Sequence, residues 1–249
     1  MKQSVKLIAG NWKMNGLAAD LAEVDVLVSE LTNDPAACRV ALCPPATLVH
    51  RMVERVRDSV VEIGGQDCSP EPKGAFTGDV SAAMLANAGA SLVIVGHSER
   101  RQGHGETDAV VAAKAQAAFN AGLAPIVCVG ETLTQREAGQ AVEVVRRQVM
   151  QSLPAALTGQ SFAIAYEPVW AIGTGLTPTL RQIEEVHCAV RSAMIERLGL
   201  GVAAVPILYG GSVKPDNAAD ILAVPEVGGA LVGGASLKAA DFLGIIRAA

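Results

Sequence analysis

Five polar clusters follow directly on short apolar runs, and each holds a group that could do chemistry. "GNWKMNG" carries Asn11 and Lys13, "GHSERR" carries His97 and Glu99, and "AYEPVWAIGTG" carries Glu167. "YGGSVKP" brings Ser212 after a Gly-Gly pair, and "VGGAS" brings Gly233 and Gly234. Taken singly, Lys13 reads as a solvated turn lysine and His97 as a capping or structural histidine. Glu167 reads differently. Pro168 biases the residue before it towards extended backbone, which aims the acid along the run it ends. One Gly-Gly is an ordinary tight turn. Two of them, after the last two apolar runs, read as an anion site, because glycine lets backbone N–H groups approach a ligand closely and Ser212 adds a hydroxyl donor. An anion anchor, a carboxylate, a histidine and a lysine suit proton abstraction beside a carbonyl, with the oxyanion stabilised by the histidine and lysine. One carboxylate can take a proton from one carbon and return it to the next. The expected chemistry is an aldose–ketose isomerisation with no cofactor and no metal.

Something must bring these clusters to one place. Candidate strands are 5–10, 39–43, 60–65, 91–96, 124–130, 162–167, 205–211 and 228–234. They are continuous apolar runs, as expected of strands buried on both faces. Helical spacing fills the gaps, with Leu17, Leu21, Val24, Val28 and Leu31 on one expected face and Val142, Val145, Val149 and Leu153 on another. Helix starts are expected at Thr132, with Gln135 three residues on, and at Thr177 before Pro178. Eight strand–helix units of about 31 residues each, with no linker between them, favour an α/β chain folded over 1–249 as a single-domain (β/α)8 barrel. In that architecture the site lies at the C-terminal ends of the strands. The polar clusters fall there.

Composition narrows the classes. Half the residues are hydrophobic and only 3% aromatic, so Val, Ile, Leu and Ala must fill the core. A net charge of −5 with no basic run excludes nucleic-acid binding as an expectation. No apolar run reaches the roughly 18 residues of a membrane span, and "MKQSVKLIAGNWKMNG" lacks the features of a signal peptide. Cys38, Cys43, Cys68, Cys128 and Cys188 are scattered without a Cys-x-x-Cys pair, which suits a reducing cytoplasm and neither zinc nor a disulfide framework. Two other classes stay open on residues alone. An aldolase would want a lysine inside a strand, and the only candidate, Lys6, lies near the N-terminal end of the first. A non-catalytic phosphate-binding barrel would not need Glu167, His97 and Lys13 together.

The clusters, with "CPP" at 43–45, "GAFTGDVS" at 74–81 and "CVGET" at 128–132, stand nearly as they do in triosephosphate isomerases, in the same order from residue 9 to 236. The sequence resembles that family, itself a standard worked case of pKa tuning. The resemblance implies that Glu167 is the base, that a neutral His97 polarises the carbonyl, and that Lys13, with Asn11 alongside, stabilises negative charge. Glu99 matches the family's acid near that lysine, and Gly173, Ser212, Gly233 and Gly234 match its phosphate-binding positions. The implied substrate is a triose phosphate. The segment 66–81 resembles the arm through which the family forms homodimers, reaching Asn11 and Met14 of the partner with Phe76 in the contact. Cys128 resembles a buried thiol beside the acid, and "VWAIGTG" a lid that closes over the phosphate and excludes water. Three departures stand out. Asp67 and Lys214 replace common asparagines and are expected outside the chemistry, and "GLTPTLRQ" (175–182) puts Pro178 at the far hinge of the lid.

Overall fold

The computed structural model describes residues 5–174 and 176–249. Eight parallel strands close into a barrel in sequence order: β1 (Leu7–Asn11), β2 (Arg39–Cys43), β3 (Val61–Gly65), β4 (Leu92–Val95), β5 (Ala124–Val129), β6 (Ala163–Tyr166), β7 (Ile207–Tyr209) and β8 (Gly229–Val232). All eight expected strands are present, most of them trimmed by a residue or two at their ends. β1 instead runs to Asn11, whose register partner is Cys43. Helices α1 (Leu21–Asn33), α2 (Ala46–Val56), α3 (Ala82–Asn87), α4 (Ser98–Gly103) and α5 (Asp108–Asn120) follow the first four strands in turn. Helices α6 (Leu133–Glu137), α7 (Ala141–Ser152), α8 (Leu180–Leu198), α9 (Ala218–Leu222) and α10 (Ala239–Arg247) follow the rest.

Alternation along the strands divides the core in two. Leu7, Ala9, Ala41, Ile94, Cys128, Ala165 and Leu208 pack in one cluster inside the barrel, where large and small side chains together fill the space between eight strands. Ile8, Val40, Val93, Val127 and Ile164 face outwards into a larger cluster with the buried faces of the helices. Closure between β8 and β1 leaves no room for a side chain at one point. Gly229 has φ +144°, and a Cβ there would lie 1.9 Å from the Leu7 carbonyl oxygen.

Two local expectations need correction. Leu17 is 76% exposed and precedes the helix; its N–H donates to Asp20 Oδ2 at 2.7 Å in a short 3₁₀ turn, and the buried face of α1 begins at Leu21. α8 starts not at Thr177 but after Thr179, whose hydroxyl accepts from the Gln182 N–H while Gln182 Oε1 accepts from the Thr179 N–H. That reciprocal box satisfies two otherwise orphaned donors, an advantage Thr177 could not offer. Thr132 and Gln135 make the expected box at the start of α6.

A charge cluster, buried at Lys114 and Glu106 and half-buried at Asp67 and Arg100, ties the 66–81 segment to the helices behind it. Lys114 Nζ lies 2.7 Å from Asp67 Oδ1 and 2.6 Å from Glu106 Oε1, and Arg100 reaches the same two carboxylates at 2.9 and 2.7 Å. Burial would raise the pKa of Glu106, but Lys114 and Arg100 outweigh it and hold the group below the usual carboxylate range. For Asp67, burial wins and the pKa stands above that range. Asp67 thus has a structural task in place of the asparagine common at its position.

The barrel seam gives a stability prediction. Gly229→Ala forces a strained backbone and a backbone clash at once, and we expect a loss of about 3 kcal/mol or more in unfolding free energy, read from urea midpoints. A midpoint equal to the parent's contradicts the seam geometry.

Candidate active site

The C-terminal rim of the barrel holds a cavity of about 360 Å³ bordered by Asn11, Lys13, His97, Gly173, Ser212, Gly233 and Gly234. Seven of the nine expected site residues therefore meet there. Glu99 stands at its edge, paired to Lys13 Nζ at 2.6 Å. Glu167 lies just behind, 1% exposed, with Oε1 2.8 Å from His97 Nε2. Lys214, expected to stand apart, borders the same cavity.

Each side chain is aimed by local structure. Asn11 ends β1, and its Oδ1 accepts from the Lys13 N–H at 3.0 Å. Lys13 itself is held at φ +52°, a conformation that costs a non-glycine residue energy and persists only where its surroundings impose it. Those surroundings are Gln66, whose amide donates to the carbonyls of both Lys13 and Cys43 at 2.8 Å, and Trp12, which donates to the Ser236 carbonyl at 3.1 Å. His97 caps α4: its Nδ1 accepts from the Glu99 N–H at 3.3 Å, which leaves the ring proton on Nε2, facing Glu167.

Glu167 is clamped. Oε2 accepts from the Ser98 N–H at 3.0 Å and Oε1 from the Ser98 hydroxyl at 3.1 Å, besides the His97 contact. Burial would raise its pKa, but His97 and the two Ser98 donors outweigh burial and hold it below the ordinary value. His97 is the mirror image: burial pulls its pKa down, and the carboxylates of Glu167 and Glu99 push it above its ordinary value. With Nδ1 accepting from the Glu99 N–H, the ring is the neutral one that the resemblance implies. Cys128 lies against this pair, fully buried, and burial followed by the Glu167 charge drives its thiol pKa well up, so it stays protonated and packs.

The segment after Pro168 is pinned at its near end. Glu131 Oε1 accepts from Trp170 Nε1 at 2.9 Å, from Tyr166 OH at 3.1 Å and from Arg136 Nε at 2.9 Å, and the Val169 N–H donates to the Glu131 carbonyl at 3.1 Å. At the far end Pro178 is buried ahead of the capped start of α8. Gly175, counted in the lid motif, lies outside the described residues.

Sequence reasoning missed three contributors. Ser98, beside His97, had no role assigned. Glu131 stood inside "CVGET" without an assigned role. Gly130 was invisible: a Cβ there would meet the Glu167 carbonyl oxygen at 1.8 Å, so only glycine lets β6 deliver its acid. The Gly210-Gly211 pair also has a packing role that the sequence did not show. Side chains there would collide with Glu167 Cγ at 2.9 Å and Tyr209 OH at 2.2 Å, so packing around the base requires these glycines before any anion does.

A sequence model described as triosephosphate isomerase matches residues 6–249. The chain belongs to the triosephosphate isomerase family. Among its relatives, the triosephosphate isomerase of Caulobacter vibrioides is 60% identical over 242 residues, covering 97% of this chain and 96% of that one. The triosephosphate isomerase of Xanthobacter autotrophicus is 57% identical over 243 residues, with 97% and 96% covered. The crystal structure of triosephosphate isomerase from Bartonella henselae superposes with a TM-score of 0.91 at 44% identity, covering 98% of both chains. Membership in the triosephosphate isomerase family agrees with the barrel and with the motif order read from the sequence.

The Ser98 clamp is open to test. Ser98→Ala removes one of the donors that stabilise the ionised Glu167, so its pKa must rise. Loss of a hydrogen bond to a charged group should move the acid limb of the kcat/KM profile up by about one pH unit. An unmoved limb, or one displaced to lower pH, argues against the clamp.

Proposed function

We propose that this chain, working as one catalytic domain over 1–249, interconverts dihydroxyacetone phosphate and D-glyceraldehyde 3-phosphate, the triosephosphate isomerase step of glycolysis and gluconeogenesis. The observation that carries the reading is the convergence of Glu167, His97 and Lys13 at the mouth of one cavity, with the Ser212 and Gly233-Gly234 loops on its far wall. The phosphate sits against those loops and Gly173. Glu167 leaves Ser98, takes the C1 proton of the ketose, and returns it to C2. His97, its proton on Nε2, hydrogen-bonds the oxygens that gain charge in the enediolate, and Lys13 Nζ offsets the same charge from the β1 side. Glu99 holds Lys13 in place, and Asn11 fixes the backbone that carries it. The residues act without a cofactor or metal, and the cytoplasm is the compartment we assign. Among the described residues no helix is long and apolar enough to cross a membrane.

The partner we assign is a second copy. Phe76 is 47% exposed in the 66–81 segment, and Met14 is 96% exposed beside a groove of about 550 Å³ that Lys13, Gln66, Asp79 and His104 help to line. An exposed aromatic on an arm and an open groove next to Lys13 fit each other as two halves of a symmetric contact. Docking the arm there would brace the Lys13 backbone, which ties activity to assembly.

Glu167→Gln should lower turnover by about 10²- to 10⁴-fold while a phosphate-bearing substrate analogue still binds, in a coupled assay with no added metal or nucleotide. Turnover within about tenfold of the parent rejects Glu167 as the base. Phe76→Asp should sediment as a monomer with poor activity. An intact, fully active dimer would remove the arm from the interface.

A further inference from the structure

Among the described residues, Lys13 and Lys214 are the lysines that border the substrate cavity. Lys13 is already paired with Glu99 at 2.6 Å, and Glu167 adds a negative charge just behind. The segment 168–178, which meets the cavity at Ile172 and Gly173, carries no charged residue. A phosphate approaching a protein of net charge −5 therefore finds little net attraction in the first lysine. Lys214 is placed differently. Lys13, Lys114 and Lys238 each hold a carboxylate, whereas Lys214 is exposed and holds none among the described residues.

Lys214 also stands at a junction. The substrate cavity shares Lys214, Gly234 and Ala235 with an outer groove of about 490 Å³, whose remaining wall is Pro215, Asp216 and Asp241. The two spaces meet at the lysine, and the two carboxylates border only the outer one. Asn217 ties the lysine to the phosphate loop. Its Oδ1 accepts from the Lys214 N–H at 2.8 Å, and its Nδ2 donates to the Ser212 carbonyl at 3.3 Å. The Lys214 carbonyl accepts from the Ala218 N–H at 3.0 Å. On the outer side Pro215 lies so close to α10 that a Cβ at Gly244 would stand 2.9 Å from it. A fixed turn thus carries a flexible stem, and the ammonium at its end is a compact charge that can follow a moving anion.

We propose that Lys214 is the entry cation of the site, which draws the substrate phosphate past Asp216 and Asp241 and delivers it to the Ser212 and Gly233-Gly234 loops. The proposal rests on the isomerase reading above. Capture precedes proton transfer, so the effect falls on kcat/KM and on phosphate affinity far more than on kcat. It also acts through solvent. Salt must weaken it, because the screening length shrinks from about 30 Å at 0.01 M to about 3 Å at 1 M ionic strength.

The test is a salt series. It measures kcat/KM for D-glyceraldehyde 3-phosphate, with the affinity of inorganic phosphate read by calorimetry, from about 0.01 to about 0.5 M ionic strength. Lys214→Gln should lower kcat/KM about three- to tenfold at the low end, and the gap should close towards the high end. Inorganic phosphate should bind that variant more weakly at low ionic strength. Lys214→Glu should lose more, and Lys214→Arg should restore most of the loss. A Gln variant equal to the parent at low ionic strength, a loss of the same size at every salt concentration, or an Arg variant as impaired as the Gln variant overturns the entry cation. A parent that isomerises nothing would instead overturn the functional reading, and the phosphate affinities of parent and Gln variant would then decide the role of Lys214.

Discussion

Everything at the rim depends on how the barrel closes. Leu7 pairs with Gly229 and Arg39, so β1 is held from both sides, and this register decides which residues point into the barrel and which stop at its upper edge. Asn11 and Lys13 leave β1 at that edge, and Gly233 and Gly234 leave β8 beside them. The spacing is tight enough that a Cβ at Gly233 would stand 3.6 Å from Lys13 Cε. A slip of one residue at this seam would turn every side chain of β1 to the other face. The anion anchor and the lysine would then part company.

Within that frame the base is set by opposing terms. A carboxylate as buried as Glu167 should resist ionisation, and the His97 ring and Ser98 donors reverse that preference. The same contacts keep the acid away from the substrate side. The proposed reaction therefore requires Glu167 to exchange these partners for the substrate. Glu131 gathers Trp170, Tyr166 and Arg136 around one oxygen, so the segment after Pro168 and strand β6 share an anchor.

Much of this was legible in the sequence. Strands buried on both faces write continuous apolar runs, and all eight could be read from "VKLIAG" to "GGALVGG". The chemical residues could be read because a barrel places them just after those runs. What escaped was set by contacts between distant segments. Ser98 acts on a residue 69 positions away, and Gln148 positions Gly130 across 18. Glycines carry no mark of purpose: Gly210 and Gly211 read as an anion turn, and that Glu167 and Tyr209 also occupy the space their side chains would need could not be read. Leu17 fitted a helical period whose first member belonged to a loop, and Thr177 lost its place to a neighbour with a better-spaced glutamine.

The cluster of Asp67, Arg100, Glu106 and Lys114 bears on heat. Lys114 and Glu106, withdrawn from water, are costly to bury at ordinary temperature, and Glu106 Oε2 lacks any partner among the described residues. Hydration of charged groups becomes less favourable on warming, so the cost of keeping them dry shrinks as temperature rises. The floor beneath the 66–81 arm is thus the part of this barrel whose relative hold improves on heating, while the apolar contacts around it gain little. An asparagine at position 67 would leave Lys114 and Arg100 with one carboxylate between them and forgo that temperature dependence.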